Sequence, residues 1–320
     1  MNDQPDMSQS LNSFNTLEDL LDPEVVAGLS TTHDLRATGF TPLDTMFAGG
    51  LARGELLVIG GRPGVGKSVA LMQWARNLAL DSRSVVIATY EHSELVVLSQ
   101  FLLIELGELV ATPTESTAAR GIVDSLISGK LTWADAMSQD STLALAAKQM
   151  AAYSGNIRVL DSRGRDHGLD VLKREVMLYS TDVLIIDHLQ KIEAGAVGLV
   201  KRLAVTSDIT VIATSTTTDD GIAQSRIRST SLVDAASVAH EADILVMLNN
   251  KISIVSRNHS AFDSVRAASF HNQVVFTLEK NRRGPAPIEI EFDRDFPHRR
   301  FNPRGAFVTE RLVDKVTVME

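Results

Sequence analysis

The stretch Gly61-Arg62-Pro63-Gly64-Val65-Gly66-Lys67-Ser68 satisfies the pattern G-x-x-x-x-G-K-[ST] at every fixed position. Its flanks are those the pattern needs. The apolar run Leu56-Leu57-Val58-Ile59 reads as a buried strand entering the loop, and Val69–Trp74 opens an amphipathic helix leaving it. Strand, glycine loop and helix in that order commit this region to an α/β fold. The glycines leave backbone N–H groups free to wrap phosphate oxygens, and the helix N-terminus adds a favourable dipole. In such a loop Lys67 reaches the β- and γ-phosphates and Ser68 holds Mg²⁺. The alternative is a glycine-rich turn that merely joins strand to helix; the full pattern with both flanks argues against it. The loop points to a nucleoside triphosphate.

At 320 residues and 44% hydrophobic content, the chain can bury one large α/β core with an appendage. No run approaches the ~18 continuous apolar residues of a membrane span, and Met1–Ser10 is too polar for a signal peptide. The chain has 0 cysteines, which excludes disulfides, thiolate catalysis and cysteine-based zinc sites. A cytoplasmic protein without membrane attachment is expected. The net charge of −9 argues against a generally basic, DNA-coating surface. It leaves room for a local basic patch, such as the inner loops of a ring that threads a strand.

Residues 1–15 are polar and expected to be a disordered tail. Over 16–35, Leu17, Leu20, Leu21, Val25, Val26 and Leu29 recur at near-helical spacing, with Asp22-Pro23 as a helix start. This helix packs on its own domain or docks on a neighbouring subunit; periodicity alone does not say which. From Thr38 the pattern alternates. Leu56–Ile59, Val85–Thr89, Ile157–Leu160, Val183–Ile186, Thr210–Ala213, Ile244–Leu248 and Val274–Leu278 read as buried strands. Helical patterns such as Leu169–Leu178 and Leu232–Glu241 lie between them. This predicts a mainly parallel sheet with helices on both faces, spanning 36–310. Glu105–Tyr153 is rich in alanine and leucine and is expected to be a helical insertion. A turn at Gly284-Pro285-Ala286-Pro287 should join two late strands, and 311–320 should form a C-terminal tail.

Hydrolysis needs a carboxylate beside the metal and a group that orients or deprotonates water. Val183-Leu184-Ile185-Ile186-Asp187, an apolar strand ending in an acid, supplies the first; a cap for the following turn is the alternative. Val85–Tyr90 ends in Glu91, expected next to the loop's strand. It can face the γ-phosphate as a general base or simply begin the next helix. Lys280 and Arg282, spaced i, i+2 after Val274–Leu278, should point the same way. They could meet a neighbour's phosphate in trans; alone, they read more simply as a solvated basic turn.

Taken together, the chain resembles the C-terminal, RecA-type ATPase domain of DnaB-like replicative helicases over residues 36–303. The matching pieces run in order: Thr38-Gly39-Phe40-Thr41-Pro42-Leu43-Asp44, Arg62-Pro63 inside the loop, Tyr90-Glu91-His92-Ser93, Ile186-Asp187-His188-Leu189-Gln190, Leu232 to Asp243, and Lys280-Asn281-Arg282-Arg283-Gly284-Pro285. The resemblance implies a RecA-type P-loop fold. It implies Glu91 as catalytic base, Lys67 as phosphate-binding cation, Ser68 and Asp187 at Mg²⁺, and Lys280 and Arg282 as inter-subunit fingers. It further implies a homo-hexameric ring that hydrolyses Mg-ATP at subunit interfaces and moves on single-stranded DNA in replication. It tilts the 16–35 segment toward a docking arm.

Some positions depart from the family. Its N-terminal helical domain, which contacts primase and loader, finds no counterpart ahead of residue 16, so such partners remain unassigned. Where the family carries a Ser-Gln pair that senses the γ-phosphate, Thr214-Ser215-Thr216-Thr217-Thr218 puts Thr216 in place of the glutamine. Threonine is shorter and lacks the amide. The loop after Asp187, Lys191-Ile192-Glu193-Ala194-Gly195, is short. The basic candidates for DNA phosphate are Arg226 and Arg228, then Lys251 and Arg257, against a reading as solubilising charge. Alternatives to a helicase are a RadA-type recombination ATPase, which shares the Lys-Asn-Arg-x-Gly segment, and a regulatory oligomeric ATPase that does not unwind DNA.

Overall fold

A computed structural model describes residues 16–18, 21–24, 34–165, 167–193, 195–256 and 264–314. The chain divides into two units, 1–35 and 36–320. In the first, the Asp22 Oδ1 accepts the Glu24 amide at 2.8 Å, the start signal expected of Asp22-Pro23. The expected tail over 1–15 and most of the docking helix over 16–35 lie outside the described residues.

The second unit alternates strand and helix. In chain order its first elements are α1 (Thr41–Met46), β1 (Leu56–Gly61), α2 (Lys67–Leu80), β2 (Val85–Thr89) and α3 (Glu94–Leu109). Then follow α4 (Thr117–Ile127), α5 (Trp133–Gln139), α6 (Ser141–Ala151), β3 (Ile157–Asp161), α7 (Leu169–Leu178) and β4 (Val183–Asp187). Next are α8 (Ala196–Thr206), β5 (Thr210–Thr214), α9 (Asp219–Ile222), α10 (Ala235–Glu241) and β6 (Ile244–Asn250). The last are α11 (Lys251–Ile254), α12 (Ser264–Phe270), β7 (Gln273–Asn281), β8 (Ile288–Asp295), β9 (Arg300–Phe301) and β10 (Ala306–Phe307). The sheet runs β10-β8-β7-β6-β1-β5-β4-β2-β3, with β9 paired to β8. From β6 to β3 every neighbour is parallel; β7 to β10 add an antiparallel wing.

Continuous apolar strands are the mark of a sheet covered twice, and here alternate residues feed opposite cores. In β1, Leu57 and Ile59 join α2 and α3 on one face; Leu56 and Val58 join α7, α8 and α10 on the other. β4 splits likewise, Val183 and Ile185 against Leu184 and Ile186. Glu105–Tyr153 is helical but not a separate insertion. α3 begins at Glu94, and Val123, Leu143 and Ala146 of the following helices share the core of Phe101 and Leu102. Nor does the tail begin at 311. Ser256 N donates to Arg311 O at 3.0 Å and Val313 N to Ile254 O at 2.7 Å, tying 311–313 alongside 254–256. Among the described residues no helix is long and apolar enough to cross a membrane.

The Thr38–Asp44 signature has a structural role. The Asp44 carboxylate accepts from Thr38 N (2.7 Å), Thr38 Oγ1 (2.8 Å) and Gly39 N (2.9 Å). Burial pushes the Asp44 carboxyl up, and these hydrogen bonds work against that shift. The turn drives Phe40 into an aromatic cluster, edge-on to Trp74 at 5.7 Å and tilted on Phe292 at 5.0 Å. Asp44→Ala strands these donors and should cost about 1–3 kcal/mol, read as a lowered urea midpoint at unchanged slope.

Candidate active site

β1 ends in the glycine loop. Gly61 has φ +148°, and a Cβ there would lie 2.7 Å from Leu248 O, so only glycine lets the chain leave the strand beside β6. Gly66, at φ +108°, is the residue before α2, and a Cβ there would strike Phe301 and Phe296. The antiparallel wing thus buttresses the loop with aromatic rings. The N-terminal amides of α2 open on a cleft of about 580 Å³ that Lys67, Ser68, Glu91, His188, Thr216 and Arg299 help to line.

Lys67 is buried, and its Nζ donates to Gly61 O at 2.8 Å and Arg62 O at 3.1 Å. Burial pulls its ammonium below the ordinary lysine range, and the Asp187 and Glu91 charges work against that shift. Asp187, 0% exposed, ends β4. Its Oδ1 accepts from Ser68 Oγ (3.2 Å) and Thr214 Oγ1 (2.9 Å). Its Oδ2 is buried and has no partner among the described residues. A buried, unpartnered carboxylate oxygen beside a hydroxyl suits a hard divalent cation, so the donor set fits Mg²⁺. Among the described residues no cluster of three or more His, Cys, Asp or Glu groups forms a metal cage, so the ion would share its shell with phosphate and water. Asp187 caps no turn: the 3₁₀ turn Leu189–Lys191 follows His188 without a side-chain cap.

Glu91 does not open the next helix. Ser93 caps α3, accepting from Val96 N, which leaves Glu91 outside the helix and facing the cleft. Nor does it sit next to the loop's strand, because β5 and β4 lie between β1 and β2. It reaches the same cleft because parallel strands all end at one edge, Thr89 level with Asp187 and Ile59 level with Thr214. Glu91 Oε2 lies 3.1 Å from His188 Nε2. Thr216 stands at the cleft, its amide donating to Gln190 Oε1 at 3.2 Å, while Gln190 Nε2 donates to Ser215 Oγ at 2.8 Å. His188 and Gln190 are site residues that the motifs named only in passing, and the acid-x-x-Gln spacing after a strand end was the signal for the second.

Lys280 lies within β7, which runs on to Asn281, and Arg282 follows it. β7 is antiparallel to β6, so both cations sit near Asp243, where β1 begins. Five residue steps of β1 separate that end from the loop, about 16 Å at strand rise, so neither side chain serves its own loop. Both point the same way: Lys280 Nζ donates to Ala239 O (2.7 Å) and His240 O (3.1 Å), Arg282 Nη2 to His240 O (2.9 Å). Arg282 Nη1 donates to Asp243 Oδ1 at 3.0 Å, and Lys201 Nζ to Asp243 Oδ2 at 2.7 Å. Burial and then the Arg282 charge pull the Lys280 ammonium down.

The DNA candidates fare differently. Arg226 is 4% exposed, ion-paired with Glu289 and donating to Thr277 Oγ1 at 3.3 Å. Arg228 donates to Asp314 Oδ1 at 2.7 Å and Glu279 Oε1 at 3.4 Å. Lys251 is 0% exposed and pairs with Glu291 and with Glu310. These cations tie the loop after β5 and the end of β6 to acids of β7, β8 and the segment after β10; Arg257 lies outside the described residues.

A model of the DnaB-like helicase C terminal domain matches residues 36–301. The chain belongs to that family. The DnaB-like chain shares its fold with a solved ATPase domain, at TM-score 0.66 and 17% identity over 90% of this chain and 98% of that one. A DnaB-like replicative helicase, solved in a study of its interactions with primase, matches at TM-score 0.66 and 17% identity, covering 90% of this chain and 67% of the other. In sequence it is 34% identical to the replicative DNA helicase DnaB of Treponema pallidum over 102 residues, 30% of this chain and 23% of that protein. It is 43% identical to the DNA repair protein RadA of Campylobacter jejuni over 58 residues, 18% of this chain and 13% of that one. The DnaB-like chain thus aligns with under a quarter of each of these curated relatives.

Proposed function

We propose that this DnaB-like chain is an ATP-dependent, ring-forming helicase that translocates on single-stranded DNA during replication. The observation that carries the reading is the split of its cations. Lys67, Ser68 and Glu91 line one cleft with Asp187 on Ser68, while Lys280 and Arg282 sit together at the end of β7, beside the start of β1 and far from that cleft. A second subunit that brings those two cations to the cleft completes the site, as a closed ring, with the homo-hexamer expected of the family, does at every interface.

In that site Lys67 and the loop amides bind the β- and γ-phosphates of ATP, and Glu91 takes the proton of the attacking water. Ser68 and Asp187 would hold Mg²⁺, which when bound would supply charge neutralisation at the phosphates. Lys280 and Arg282 of the neighbour meet the transferring phosphoryl group, and Thr216 contacts the γ-phosphate region through a shorter side chain than the family's glutamine. Arg226, Arg228 and Lys251 are each ion-paired within the chain, so a DNA phosphate would compete with those acids for them.

Single-stranded DNA should accelerate ATP turnover at low salt, and the stimulation should fade as salt rises through about 0.2 M. An unchanged rate with DNA at low salt would favour the regulatory ATPase instead. The RadA stretches support a second reading, a recombination ATPase. Unwinding of forked DNA without branch migration speaks for the helicase, and the reverse for the alternative.

A further inference from the structure

We propose that His188 is a positioning residue that holds the Glu91 carboxylate where it meets the attacking water; this rests on the reading of Glu91 as the base. Directly after Asp187, the chain takes φ +92° at His188, a conformation that residues other than glycine rarely adopt. It is pinned there from two strands. The His188 amide donates to Thr214 Oγ1 at 3.1 Å, and the same hydroxyl donates to Asp187 Oδ1 at 2.9 Å. Such a turn persists only where surrounding structure over-determines it.

The turn sends the imidazole across the cleft. The ring is buried, with Nε2 3.1 Å from Glu91 Oε2 and 4.0 Å from Asp187 Oδ1. Among the described residues the Glu91 carboxylate has no other hydrogen-bond or ion-pair partner, although its side chain is 47% exposed. An acid on a loop, half open to water, samples many rotamers unless something fixes it. Nδ1 is buried and unpartnered, so a proton on Nε2 satisfies the arrangement better than one on Nδ1. His188 thus donates toward Glu91 and stands between it and the metal-site carboxylate.

The test uses steady-state ATP turnover of the assembled protein with single-stranded DNA. His188→Gly accepts the positive φ without strain and removes the ring. It should lower kcat about 10- to 100-fold, the cost of misplacing a reacting group, with KM for ATP changed less than about twofold. His188→Asn puts the same Cβ on that backbone as histidine does and is too short to reach Glu91, so it should match glycine and guards against an artefact of glycine's flexibility. His188→Gln carries an N–H to similar reach and should recover most of the loss. In an E91Q background, His188→Gly should change the residual rate by less than about twofold, because the two act as a unit. Full losses that multiply, or a glutamine variant as poor as glycine, overturn the positioning role. A severe E91Q defect beside full activity in H188G does the same while sparing Glu91. Wild-type turnover in E91Q removes Glu91 as base, and the proposal with it.

Discussion

Lys67→Ala should lower ATP turnover by at least about 10³-fold, the scale on which losing a preorganised charge at developing phosphate charge is felt. Lys67 is the cation placed inside the loop, its ammonium between Gly61 O, Arg62 O, Asp187 and Glu91. Burial pulls its ammonium toward the neutral form, and a partly desolvated site makes each charge count more. The substitution leaves the Gly61 and Arg62 carbonyls at a cleft that water can enter, so the fold should survive. Phosphate release, with a melting curve as control, checks both halves. Turnover near that of the unaltered chain would remove the loop from the site.

The second large effect tests the split site. Arg282→Ala should reduce turnover about 10³- to 10⁵-fold if the side chain acts as a finger in trans. The informative experiment mixes it with Lys67→Ala. Each variant alone is inactive, yet a mixed interface pairs the intact loop of the Arg282→Ala subunit with the intact Arg282 of its neighbour. Mixing should therefore restore a measurable fraction of activity. No recovery at any ratio would mean that Arg282 serves its own subunit or only braces Asp243, to which it is bound at 3.0 Å.

Much of this architecture was legible in the chain because parallel strands buried on both faces leave unbroken apolar runs. Val85–Thr89 is a strand from end to end, and Leu169–Leu178 is the helix its periodicity describes. The phosphate loop was legible for a different reason, since glycine at Gly61 and Gly66 is demanded by backbone geometry. Strand order was not. Glu91 reads as adjacent to the loop because it follows it in sequence, whereas β5 and β4 return between them. The partners of the basic candidates were hidden for a related reason. Arg226 and Lys251 look free along the chain, and the acids that bury them, Glu289 and Glu291, come from a strand that crosses back much later. The backbone turn at His188 left no trace, since histidine is not the residue that such a φ selects.

Asp243 accepts the Leu56 amide at 2.8 Å and holds Arg282 at the same point, while Gly61 hands the other end of β1 to the phosphate loop. On the proposed assembly, one short strand would be a ruler between the site a subunit owns and the site it lends to. If the two ends belong to successive interfaces, the pitch of the whole assembly is written in the length of that strand. An added or deleted residue in β1 would then put every interface out of step at once, even with each chemical group still present.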